Sequence, residues 1–127
     1  MNLKDQNGFT PLHFASQRGH LSVVEYLINQ KVDFNSKTKD GNTPLHLAAS
    51  NGHLGVVEYL VNQKADINSK DHNSFTPLHF ASQRGHLSVV EYLINKKADI
   101  EATTKEVELQ YSMILLFILL LQMGVLM

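Results

Sequence analysis

Thr10-Pro11-Leu12-His13-Phe14-Ala15 recurs as Thr43-Pro44-Leu45-His46-Leu47-Ala48 and again as Thr76-Pro77-Leu78-His79-Phe80-Ala81, each copy 33 residues after the last. Self-similarity at a fixed period of this size is the signature of a repeat architecture. Twenty consecutive residues, 10–29, are identical to residues 76–95, whereas the middle copy differs at places such as Ser50, Asn51, Gly55 and Val61. Duplication of one unit is the simplest origin.

Each unit reads as two short antiparallel helices and an extended loop. The Thr10 hydroxyl suits a helix N-cap, and Pro11 suits the first helical position, where a missing N–H costs nothing. Leu12, Ala15 and Ser16 follow at helical spacing, and Gly19 closes the helix by taking the left-handed conformation. After a turn beginning at His20, Leu21, Val24, Leu27 and Ile28 make one apolar face of a second helix, with Glu25 and Asn29 opposite. Such a pair cannot bury its apolar face alone, so the units must stack on one another.

These residues resemble the ankyrin repeat family over about residues 5–100. The resemblance rests on three copies of the Thr-Pro-Leu-His-x-Ala signature, on Gly19-His20, Gly52-His53 and Gly85-His86, and on Val-Val-x-x-Leu in each second helix. It implies an all-α solenoid of helix-turn-helix units with β-hairpin-like loops, dividing into repeats at about 8–40, 41–73 and 74–104, and a C-terminal tail at 105–127. Two positions depart from the family. Lys31, Lys64 and Lys97 stand where a glycine usually closes the second helix, and Ser74 replaces the turn glycine seen at Gly8 and Gly41. A lysine with positive φ is strained by roughly 1 kcal/mol. The first and third copies lack the polar outer face of a capping repeat, so the chain reads as a piece of a longer array.

Composition narrows the function. Eleven Lys and Arg against twelve Asp and Glu leave a net charge of −1, without the positive field that nucleic acid requires. The chain has no cysteine, which removes disulfides, thiolate zinc sites and thiol nucleophiles. The opening residues lack the order of a secretory signal, and a cytoplasmic protein is expected. Seven histidines invite a metal or acid-base reading, but six are repeat positions, spaced as rows roughly 10 Å apart and not converging on one ion. In the family the His of the signature bonds locally to the capping Thr and to neighbouring loop backbone. His72 is the odd one, at a hairpin tip. With no phosphate loop and no nucleophile elbow, we expect no catalysis and no cofactor.

The resemblance implies a monomeric protein-protein interaction module. In the family, hairpin tips project as fingers and first helices line a concave palm. By position the partner-facing residues are Gln6, Asn7, Phe9, Gln17 and Arg18 in the first repeat, Lys39, Asp40, Asn42, Ser50 and Asn51 in the second, and His72, Asn73, Phe75, Gln83 and Arg84 in the third. Aromatic and arginine side chains dominate interface energetics, which makes Phe9 and Phe75 the preferred anchors, each a ring expected to face solvent or to pack on the adjoining finger. On the solvent-facing reading, removal of the Phe75 ring leaves stability within about 0.5 kcal/mol.

After Thr104 the repeat fails, and Tyr111 to Met127 is almost wholly apolar. Three readings compete. As a helix this stretch spans about 25 Å, slightly short of a bilayer core, with Lys96, Lys97 and Lys105 on the cytoplasmic side, which makes the chain a tail-anchored membrane adaptor. As a cap on the third repeat it is apolar all round, which a water-facing cap should not be. As a frameshifted or decayed repeat it has some support: permitted codons for residues 114–124, reread one frame away, spell the string found at residues 43–52.

Overall fold

The computed structural model describes residues 3–100, and the apolar tail with its three readings lies outside them. Six helices run in chain order: α1 (Pro11–Gln17), α2 (Leu21–Asn29), α3 (Pro44–Ser50), α4 (Leu54–Asn62), α5 (Pro77–Gln83) and α6 (Leu87–Asn95). They form three hairpin pairs. The short helices α1, α3 and α5 pack side by side in one layer, and each longer helix packs behind its own partner and against the next longer helix. Among the described residues there is no strand, and no helix is long and apolar enough to cross a membrane.

The local reasons are those of the repeat unit. Thr10, Thr43 and Thr76 are extended N-caps whose hydroxyls accept the backbone N–H of His13, His46 and His79, and each cap N–H in turn donates to the histidine ring. This is a capping box with imidazole in the place usually held by Glu or Gln. Each short helix is closed by a glycine in the left-handed region, Gly19 at φ 74° and Gly52 at φ 73°. Glycine is needed there for a second reason. A Cβ on Gly19 would lie 2.5 Å from Nδ1 of His53, and one on Gly52 would lie 2.6 Å from Nδ1 of His86. Lys31, Lys64, Lys97 and Ser74 take φ values of 68°, 77°, 69° and 67°, so the left-handed backbone expected at these positions is present.

The core is a continuous seam. Leu12, Leu45 and Leu78 from the short helices meet Val24, Val57 and Val90 and Leu27, Leu60 and Leu93 from the long ones, with Ala15, Ala48 and Ala81 letting the two layers close together. A second valine stripe appears that the one-face reading of the long helix did not include: Val56 and Val89 are fully buried, while Val23 at the same repeat position is exposed. Burial at that position is supplied by the preceding repeat.

Ser16 and Ser82 carry buried hydroxyls with no hydrogen-bond partner, and the equivalent residue of the middle repeat, Ala49, is fully buried without a polar atom. An unpaired buried hydroxyl costs about 1 kcal/mol or more. Ser16→Ala and Ser82→Ala should therefore each raise stability by about 1 kcal/mol in urea unfolding, and a loss of stability in either would show that the hydroxyl is satisfied.

Candidate functional site

The repeats are joined by imidazoles. In the first repeat Nδ1 of His13 accepts the Thr10 N–H at 3.0 Å and lies 2.9 Å from the Thr10 hydroxyl. The proton is thereby assigned to Nε2, which donates to the carbonyls of Ser36 and Asn42 at 2.9 and 3.0 Å. His46 repeats this, with Nε2 donating to the Phe75 carbonyl at 2.8 Å. A second histidine per joint reaches backwards: His53 Nε2 to the Gln17 carbonyl at 3.0 Å and His86 Nε2 to the Ser50 carbonyl at 2.9 Å. Both joints therefore close with one imidazole from each side. Burial, opposed by the backbone hydrogen bonds, pushes the His13 and His46 pKa values below 6.5. Among the described residues no group of three or more metal-ligating side chains converges.

These joints hold the loops in place. Asp5 N–H donates to the Phe9 carbonyl and Asp71 N–H to the Phe75 carbonyl, while Thr38 N–H donates to the Asn42 carbonyl, closing three tight turns at residues 5–9, 38–42 and 71–75. Adjacent tips are tied by one main-chain bond each, Lys39 N–H to Asn7 carbonyl at 3.0 Å and His72 N–H to Asp40 carbonyl at 2.9 Å. The Asp5 and Asp71 carboxylates accept two backbone N–H groups apiece inside their turns. The tips are thus preformed by backbone bonds together with the Asp5 and Asp71 carboxylates and the Thr38 hydroxyl, which accepts the N–H groups of Asp40 and Asn42.

The sequence-derived partner residues fall into two rows. Gln6, Asn7, Lys39, Asp40, His72 and Asn73 are exposed on the tips. Gln17, Arg18, Ser50, Asn51, Gln83 and Arg84 lie where the short helices end, the seven-residue length of such a helix, about 10 Å, away from the tips. Arg18, Gln83 and Arg84 are exposed, and Gln17, Ser50 and Asn51 are half-buried, the Asn51 amide donating to the Leu47 carbonyl of its own helix.

The aromatic expectation requires correction. Phe75 is 7% exposed. Its ring stacks on Phe80 with centroids 5.1 Å apart and meets the edge of His79, while His46 from the preceding repeat stands edge-on to Phe80. Phe9 makes the same contacts, with Phe14 at 5.0 Å and His13 at 5.6 Å, yet is only half-buried. The rings pack on their own first helix, not on the adjoining finger, and the preceding repeat completes the burial of Phe75. Asn42, which stands at this position in the middle repeat, keeps a buried Oδ1 without a partner.

A family model described as ankyrin repeats in three copies matches residues 1–71 and 38–104. The chain belongs to the ankyrin-repeat family. Repeats of this family are in general protein-protein interaction modules, typically without catalytic activity. Over 37 residues the chain is 51% identical to delta-latroinsectotoxin-Lt1a of Latrodectus tredecimguttatus and 40% identical to alpha-latrotoxin-Lh1a of Latrodectus hasselti. Each match covers 29% of this ankyrin chain and 3% of the toxin, so the likeness is that of about one repeat.

Two outcomes follow from this geometry. Phe75→Ala should cost about 3 kcal/mol or more, as expected for emptying a buried aromatic site, and Phe9→Ala roughly half as much. Equal losses in thermal unfolding would contradict the assignment of Phe75 burial to the preceding repeat. Stability should also depend on pH. With the folded-state values of His13 and His46 below 6.5, the unfolded chain takes up protons first. The contribution is complete above about pH 6.5 and is lost below it, at no more than about 1.4 kcal/mol per pH unit for each ring. A urea midpoint that did not fall between pH 7.5 and pH 5.5 would count against buried neutral imidazoles.

Proposed function

We propose that this ankyrin-repeat protein is a non-catalytic binding module that holds a protein partner across the finger tips and the C-terminal ends of the first helices. The observation that carries the reading is the fixed spacing of the two side-chain rows. The tips are held by the Asn7–Lys39 and Asp40–His72 main-chain bonds, and the ends of α1 and α3 by the His53 and His86 rings. A surface already fixed in shape loses little conformational entropy on binding. Lys39, Asp40 and His72 contact the partner at the tips, and Arg18, Asn51, Gln83 and Arg84 contact it at the helix ends. Gln17 and Asn42 support these contacts, and Phe9 is the one anchor ring of the expected pair that is partly accessible. Phe75 belongs to the fold. Mixed charges with an overall balance near zero favour a partner recognised by polar and arginine contacts over one captured by a single-sign field. A chain without cysteine needs no oxidising environment, and we place the module in the cytosol as a monomer.

Photo-crosslinking residues placed singly at Lys39, Arg84 and Glu91 separate this face from the back of the long helices. Adducts with one and the same protein from Lys39 and Arg84, and none from Glu91, are the expected result. Adducts confined to Glu91 would assign binding to the long-helix side.

A further inference from the structure

The finger tips and the helix ends are the two edges of the surface that holds a partner on the reading above, and what lies between them is apolar. Leu12, His13, Ala15 and Ser16 of α1 are buried, which leaves Phe14, 43% exposed, at the middle of the open side of the helix. Leu47 and Phe80 hold the same position in α3 and α5 and are half-buried. Residues four apart share a face of a helix. Phe14 is therefore followed on its own face by Arg18, Leu47 by Asn51 and Phe80 by Arg84.

Charge is unevenly placed around this strip. Asp5 to Glu25, Asp40 to Glu58 and Asp71 to Glu91 each run from the finger to the long helix with no acidic residue between. With the histidines neutral, the charges inside these stretches are Arg18 and Arg84 alone. Both are exposed, and neither meets a carboxylate among the described residues. The middle repeat contributes no ring: Asn42 and Leu47 stand where the outer repeats have the pairs Phe9–Phe14 and Phe75–Phe80, with ring centroids 5.0 and 5.1 Å apart. The strip thus has an aromatic pair and an unpaired arginine at each end and an uncharged aliphatic centre.

We infer that this strip binds an extended segment of another protein that carries two carboxylates with apolar side chains between them. The inference rests on the binding face proposed above and names the chemistry of its partner. Each carboxylate pairs with one arginine, whose planar guanidinium takes it through two parallel N–H···O bonds. Packed helices lie roughly 10 Å apart, so Arg18 and Arg84, two repeats apart, are separated by about 20 Å. An extended chain rises about 3.3 Å per residue and covers that distance in about six residues. Side chains of such a segment alternate in direction, so the second and fourth residues after the first carboxylate point the same way as both carboxylates. These two are the apolar ones, laid on Phe14, Leu47 and Phe80. Arginine and aromatic anchors around an apolar centre are the residues that carry most binding energy at interfaces.

The probe is a dye-labelled peptide, Glu-Ser-Leu-Ser-Leu-Ser-Glu, titrated with the full chain and read by fluorescence anisotropy. It should bind about tenfold or more tightly than the same peptide with lysine for both glutamates, with serine for both leucines, or with one serine removed so that the second glutamate turns to the other side. Arg18→Glu combined with Arg84→Glu, both at exposed positions, should leave thermal unfolding unchanged and reverse the order, the lysine peptide now binding more tightly than the glutamate one. A glutamate peptide that binds no better than the lysine peptide, or a preference that charge reversal leaves unaltered, would overturn the inference. Either result together with adducts to one protein from Lys39 and Arg84 removes the acidic segment and leaves the binding face standing, whereas adducts confined to Glu91 remove the face itself.

Discussion

The hydrogen bond from a buried imidazole to a carbonyl of the next repeat is the constraint on which the rest of the structure depends. His13 and His46 each do two jobs that normally fall to separate residues. Nδ1 completes the cap of the helix that carries it, and Nε2 fixes the start of the following repeat. A side chain with one acceptor and one donor on opposite sides of a rigid ring is suited to this, because satisfying the cap dictates where the donor points. The second histidine of each joint, His53 or His86, closes the far end of the same helix layer by bonding the carbonyl left open at the preceding helix end. The helices α1 and α3 are thus held at both termini, where their backbone groups lack intrahelical partners.

Coupling of this kind makes the stability of every unit depend on its neighbours. Identical sequence gives unequal burial at Val23 and Val89 and at Phe9 and Phe75, so the contribution of a side chain is set by what stands beside its repeat and not by the repeat itself. The energetics are then those of a nearly one-dimensional array, a sum of unit and interface contributions. The lysines held at positive φ add a cost to each unit, and the interfaces must offset it. The middle repeat, covered on both sides, is the most favourably placed to do so.

The period, the capping threonine, the helix-closing glycines and the main apolar stripe are legible in the sequence because each is a local requirement of backbone geometry or helical spacing. The same is true of Lys31, Lys64 and Lys97, whose left-handed backbone follows from the position they occupy. What the sequence leaves open is what depends on the neighbour. Phe75 reads as a ring on a turn, and only the packed array shows that a turn residue can stack on its own helix and be sealed by the repeat before it. Val56 and Val89 read as the first of two adjacent valines, off the main face, because a single helical stripe does not anticipate a long helix buried on two sides. A signal was nevertheless present: the repetition of Val-Val in all three copies marks two buried positions, not one. The unpaired hydroxyls of Ser16 and Ser82 are likewise invisible without knowing that no acceptor comes within reach.

The same distinction separates fold residues from recognition residues. Side chains that close a cap or a joint are repeated at each 33-residue step because the constraint is repeated. The positions where the middle repeat departs from its neighbours, Asn42, Ser50 and Asn51 against Phe75, Gln83 and Arg84, lie at the turn ends and the helix ends, beside bonds that are made by backbone carbonyls. A carbonyl accepts the same imidazole whatever side chain its residue bears, as Gln17 and Ser50 show for His53 and His86. The joint therefore tolerates variation on its outer side, and the surface that is free to vary is the one whose geometry the joints hold most firmly. A binding face that changes residue by residue while keeping its spacing is a consequence of joining repeats through the main chain.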